Sequence, residues 1–156
     1  MPRLVMTLCA AAWLLTAAGG WAVEPAEELK QLHGTWQPVS AAVGDKPLPA
    51  ETLAHIRLVI EDGRYTATVG ESVDGGQLKI DPRQSPKAMD LVSQEGSEAG
   101  KAVLAIYELE GDRLTICYSL EEGMRPTELK TGGSMQRVLV RYERKRLAAG
   151  QQPMVR

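Results

Sequence analysis

KAVLAIYELEGDRLTICYSLEEGMRPT, residues 101–127, reads as two alternating strands joined by Gly111-Asp112. Placing those two residues in the loop sets the register: Glu110 opposite Arg113, Leu109 opposite Leu114, Glu108 opposite Thr115, Tyr107 opposite Ile116 and Ala105 opposite Tyr118. The apolar and aromatic side chains then gather on one face, and the charged pair flanks the turn. A slip by one residue would mix the two faces, so this pairing is well specified. The segment predicts a sheet with one wet side and names no reaction.

The preceding part of the chain repeats the same logic. In residues 56–70, Asp62-Gly63 is a two-residue turn signal; Glu61 faces Arg64, Ile60 faces Tyr65, Leu58 faces Ala67 and Ile56 faces Val69. A first strand opens at Gly34-Thr35-Trp36 and runs through residue 42. The loop GDKPLP, residues 44–49, holds two prolines and a glycine, which oppose regular pairing, and one helical turn is expected over 50–55. Gly75-Gly76 reads as a turn into a strand over 77–81, with Leu78 and Ile80 on one face. KAMDLVS, residues 87–93, alternates weakly with Met89 and Leu91 inward. Residues 121–134 contain Pro126 and Gly132-Gly133 and read as loop, with a short strand at 127–129, and RVLVRYER, 137–144, is the closing strand. About eight strands at this spacing, with no long amphipathic crossover helix, predict an all-β, antiparallel up-and-down barrel. Closure removes the exposed edges that would make such a chain aggregate.

The N-terminal part reads differently. Arg3 and the apolar run at 4–18, followed by Gly20-Trp21-Ala22, have the form of a signal peptide over residues 1–22, with cleavage near Ala22-Val23. The apolar run is short against the ~20 residues of a spanning helix, so no membrane span is expected after cleavage. Cys9 lacks the flanks of a lipoprotein acceptor site. Export to the periplasm or beyond then leaves Cys117 as the single cysteine, with no internal disulfide, so packing must hold the fold. Residues 23–33 carry a short helix signal, with Pro25 near its start and Leu29 and Leu32 three apart; a frayed linker is the plainer reading. The barrel domain is placed at 34–146 and a disordered tail at 147–156.

Chemistry-bearing residues are few. Net charge is −2, which gives no reason to expect nucleic acid or an anionic surface as partner. His33 and His55 have no Cys or carboxylate at ligand spacing, so no metal is expected, and no phosphate loop or other cofactor motif occurs. Cys117 lacks a histidine partner and faces away from the Leu/Tyr side, which reads as a small residue buried under a covering segment. Lys87, Asp90 and Arg125 stand beside prolines or at strand ends, where a barrel's mouth would be; they form a candidate polar cluster, against the simpler reading of a pair pinning loops. No spacing places two carboxylates together for acid/base work, so catalysis is not expected. Arg141, Arg144, Lys145 and Arg146 read as a solvated basic strand end.

The chain resembles an uncharacterised family of small exported domains common in planctomycete bacteria. The resemblance rests on Gly34-Thr35-Trp36, Gly44 with Pro47, Ile80-Asp81-Pro82, Pro86-Lys87 with Asp90-Leu91, Gly100-Lys101, the run from Ile106 to Tyr118, and Arg125-Pro126-Thr127. It spans nearly all of the chain after the leader; Ala105 and Leu129 depart from it, at positions where the family often has Gly and Phe. It carries no activity. A Gly-x-Trp in the first strand with an Arg in the last is also similar to the lipocalin arrangement. That resemblance implies Trp36 as the plug of a closed end and Arg144 across its ring, against Trp36 as ordinary core filling. A lipocalin-like barrel in turn suggests two functions. One is binding of a small apolar ligand, with Leu58, Tyr65, Leu78, Met89, Tyr107, Ile116 and Tyr118 as candidate lining residues. The other is a structural or interaction module of the cell envelope, its interior filled by its own side chains.

Overall fold

A computed structural model describes residues 24–146; the predicted leader, its cleavage point and the tail at 147–156 lie outside the described residues. The elements in order are α1 (Pro25–Leu32), β1 (Gly34–Val43), β2 (Lys46–Pro47), α2 (Ala50–Ala54), β3 (Ile56–Glu61), β4 (Arg64–Val69), β5 (Ser72–Asp81), β6 (Lys87–Ser93), a 3₁₀ turn (Gly96–Glu98), β7 (Ala102–Glu110), β8 (Arg113–Ser119) and β9 (Arg137–Arg144). Strands β3 to β9 pair antiparallel in sequence order, β1 pairs with β3 on one side, and β1 also pairs with β9. The result is a closed eight-stranded up-and-down barrel with a short helix at its N-terminal side. Strand β2 is a two-residue flap on the outer half of β1, pairing Ala42 with Pro47 and Val43 with Lys46. That pairing was not expected of a loop with two prolines; Pro47 needs no N–H there because β2 is an outermost edge.

Both hairpins hold the register their sequences predict. Glu61 pairs with Arg64 and Ile56 with Val69 across Asp62-Gly63, whose φ angles are 51° and 71°, as a type I′ turn requires. Across the Gly111-Asp112 turn, Glu110 pairs with Arg113 and Ala105 with Tyr118. Inward residues alternate with outward ones along each strand, which puts Tyr65, Tyr107 and Tyr142 inside with the aliphatic side chains.

Two segments differ from the sequence expectation. Gly75-Gly76 is not a turn: β5 runs unbroken from Ser72 to Asp81, and both glycines sit inside it. A Cβ on Gly76 would collide with the Val92 carbonyl oxygen of β6, so the glycine marks a close backbone approach. Residues 127–129 form no strand; 120–136 is an irregular strap across the outside of β6, β7 and β8. Beneath it Ala88, Ile106 and Cys117 are buried although they point away from the barrel axis.

Packing divides the interior into two halves. At the closed end Trp36, Leu58, Ile60, Leu78, Met89, Tyr107, Leu114 and Ile116 fill the barrel, none more than 3% exposed. Helix α1 lies over that end, burying Leu32 and Glu28 and leaving Glu27 and Lys30 in water. The opposite end is open.

Candidate functional site

The open half contains an apolar cavity of about 330 Å³. Its apolar wall is built from inward positions of six barrel strands: Ala41 from β1, Ile56 from β3, Ala67 and Val69 from β4, Leu91 from β6, Val103 from β7, and Val138 and Val140 from β9, with Leu48 from the segment after β2; Asp74 from β5 and Tyr118 from β8 complete it. Small residues explain the space. Ala41 and Ala67 hold inward positions on β1 and β4 with side chains too short to fill the space in front of them. Val69, Val103 and Leu120 ring the opening and are 56, 38 and 56% exposed.

The cavity's inward polar groups come from three tyrosines and one acid, while Arg57 and Thr68 border it from outward positions of β3 and β4. The Tyr118 and Tyr142 hydroxyls are 3.0 Å apart. The Tyr65 hydroxyl donates to Asp74 Oδ2 at 2.6 Å, and the Ser93 hydroxyl donates to Asp74 Oδ1 at 2.6 Å. Burial pushes the Tyr142 hydroxyl up to about 12, against a partly offsetting hydrogen bond from Tyr118. Burial likewise raises Tyr118, and it raises Tyr65 with help from the Asp74 charge. All three phenols are therefore neutral around pH 7.

Of the candidate lining residues, the structure brings Tyr65 and Tyr118 to this cavity. Leu58, Leu78, Met89, Tyr107 and Ile116 lie below it, in the packed half, so that part of the expected lining is corrected to core. Asp74 was missed because the Gly75-Gly76 turn reading left residues 72–74 without a face. Running the strand through the glycines gives Asp74 the parity of Leu78 and Ile80, which points inward.

The expected polar cluster at the mouth separates into two sites, neither at the open end. Arg125 and Asp90 meet on the outer wall, with Nη2 2.7 Å from Oδ1. That contact is short but poorly directed for a hydrogen bond, so it is an ion pair. Arg125 Nη1 also donates to the carbonyls of Met89 (3.2 Å) and Ala105 (2.9 Å), which pins the strap to β6 and β7. Lys87 faces inward at the other end. Its Nζ is 2.6 Å from Oε1 of Glu28, which is buried and also accepts from the Tyr107 hydroxyl at 3.2 Å. Glu28 was legible in principle, since it precedes Leu32 by one helical repeat and so shares its buried face.

Trp36 sits on the floor of the barrel, 0% exposed, and its indole N–H donates to the Leu32 carbonyl at 2.9 Å. The Arg144 guanidinium lies 4.2 Å from the centre of its ring. Arg144 also donates to the carbonyls of Gln31 (2.6 Å) and His33 at the end of α1, and to Asp112 Oδ1 at 3.0 Å. One side chain thus ties helix, floor and hairpin turn together. Cys117 is fully buried under the strap, with Sγ 3.5 Å from the Lys130 carbonyl, and burial raises its thiol pKa. Among the described residues no His, Cys, Asp and Glu group is placed to hold a metal ion, and no helix is long and apolar enough to cross a membrane.

No known protein family, curated protein or solved structure matches this chain.

Proposed function

We propose that this protein is an exported binding barrel that takes one small apolar ligand into the open half of its interior. The observation that carries the reading is the cavity itself: about 330 Å³, walled by aliphatic side chains, with few polar groups converging on it. That is the size and chemistry of a ligand site, which usually falls at roughly 300–1,000 Å³. A ligand burying about eight methylenes gains ~6 kcal/mol gross at ~0.8 kcal/mol each. Association costs at least ~4 kcal/mol of that, so the polar groups at the rim decide how tightly anything binds.

Native mass spectrometry of protein purified from its own envelope tests the reading. The expected result is a bound small molecule that is lost on denaturation. An Ala67→Phe variant, which fills the cavity from β4, should lose it while keeping the fold by circular dichroism. A ligand retained by Ala67→Phe would place binding elsewhere and refute the proposal. The exposed apolar rim of Val69, Val103 and Leu120 supports a second reading, an envelope interaction module docked at the open end. A co-purifying polypeptide with an empty cavity would favour it.

A further inference from the structure

We infer that the cavity selects a protonated amine: an apolar body in the barrel with its ammonium head at Asp74 and the tyrosines. This rests on the apolar-ligand reading above and adds the class of ligand. The argument is an inventory of donors and acceptors. Asp74 stands on an inward position of β5 near the open end, where it stays exposed, opposite Ala67 and two pairs in from the rim pair of Val69 and Ser72. Two hydroxyls, from Tyr65 and Ser93, hold its carboxylate in place at 2.6 Å each. Both hydrogens are spent on Asp74, so neither is free for a ligand. A carboxylate has about four lone-pair sites, so Asp74 keeps room for a ligand donor. Among the described residues no Lys, Arg or His nitrogen lies within 4.0 Å of it.

The second pair of hydroxyls points the same way. Tyr118 and Tyr142 share one hydrogen between them and have a single hydrogen to offer a ligand. The inward polar surface of the cavity is therefore rich in acceptors, negatively charged and poor in donors. Tyr65, Tyr118 and Tyr142 all line it, and the negative faces of such rings attract an ammonium. A ligand carboxylate would meet the Asp74 charge and find one tyrosine hydrogen. The opposing feature is Arg57, which also borders the cavity; like Asp74 it is exposed, but it occupies an outward register position opposite Thr68, so its charge stands outside the wall and that of Asp74 inside it.

The test compares three probes of one chain length, decylamine, decanol and decanoate, by isothermal titration calorimetry at pH 7 on the full protein. The amine should bind at least about tenfold more tightly than the alcohol, a difference of ~1.4 kcal/mol, and decanoate should bind most weakly. Asp74→Asn should bring decylamine affinity down to that of decanol, with the Tm of each variant measured alongside. Raising NaCl should weaken amine binding and not alcohol binding. Decanoate binding as tightly as decylamine, or an amine preference that survives Asp74→Asn, would overturn the inference while leaving an apolar-ligand barrel in place. Failure of all three probes to bind would overturn both.

Discussion

Glu28 and Lys87 form a buried ion pair that joins α1 to the barrel by charge as well as by apolar packing. The Glu28 side chain is 2% exposed and the Lys87 side chain 31%. Replacing Lys87 with Met leaves a buried carboxylate with the Tyr107 hydroxyl as its remaining polar partner. Breaking a buried pair costs ~3–5 kcal/mol when both partners are fully enclosed. Lys87 is about one-third exposed, and water can reach the site, so ~2–3 kcal/mol is expected here. The double variant Glu28→Met/Lys87→Met removes both charges and places two apolar chains against Leu32 and the barrel floor. It should recover most of that loss, ending within ~1 kcal/mol of the parent, because replacing a buried pair by apolar residues is often neutral. The unpaired Tyr107 hydroxyl accounts for the remainder. Urea unfolding followed by Trp36 fluorescence measures all four corners of the cycle, since Trp36 touches Leu32 at the base of α1. A loss below ~0.5 kcal/mol for Lys87→Met, or strictly additive single variants, would show that α1 docks without help from this pair.

Three further outcomes are expected. Trp36→Ala should cost ~3–5 kcal/mol in urea unfolding followed by circular dichroism, because the ring fills the floor and carries Arg144 on its face; a loss under ~1 kcal/mol would make it peripheral. Gly63→Val should weaken the β3–β4 hairpin, since a β-branched residue must then adopt a φ near 71° although nothing lies within 4 Å of its Cβ. Unchanged stability, or loss of amide protection elsewhere than β3 and β4 by hydrogen exchange, would count against a purely conformational cause. The Arg146 hydrogen bond, joined by Arg144, holds the Asp112 carboxyl below the usual range. A depressed folded pKa gives stability that is present above the unfolded value of ~3.9 and fades as pH falls through the folded one. Stability should therefore decline below about pH 4, and Asp112→Asn should flatten that decline; identical acid profiles would remove Asp112 from the account.

Strand pairing was the most legible part of this chain. Each hairpin carries its register within a dozen residues: a two-residue turn, an acid–Arg pair beside it, and one apolar face. Those are local constraints, and they survive whatever the rest of the molecule does. The glycine pair in β5 was misread for the opposite reason. Its meaning lies in the approach of the β6 backbone at Val92, which no local pattern reports, and the error hid the inward position of Asp74.

The amino-acid sequence by itself determined the alternation, the turns and hence a curled antiparallel sheet with its apolar side inward. Only the tertiary structure decided that β1 closes on β9, that the lower half is filled and the upper half hollow, and that Lys87 belongs to the closed end while Arg125 clasps the outer wall. The reason is physical. Which way a side chain points follows from parity along one strand, but whether it meets a neighbour depends on the summed volumes of residues from eight strands at one level of the barrel. Around Trp36 and Ile60 that sum fills the space, and around Ala41 and Ala67 it does not.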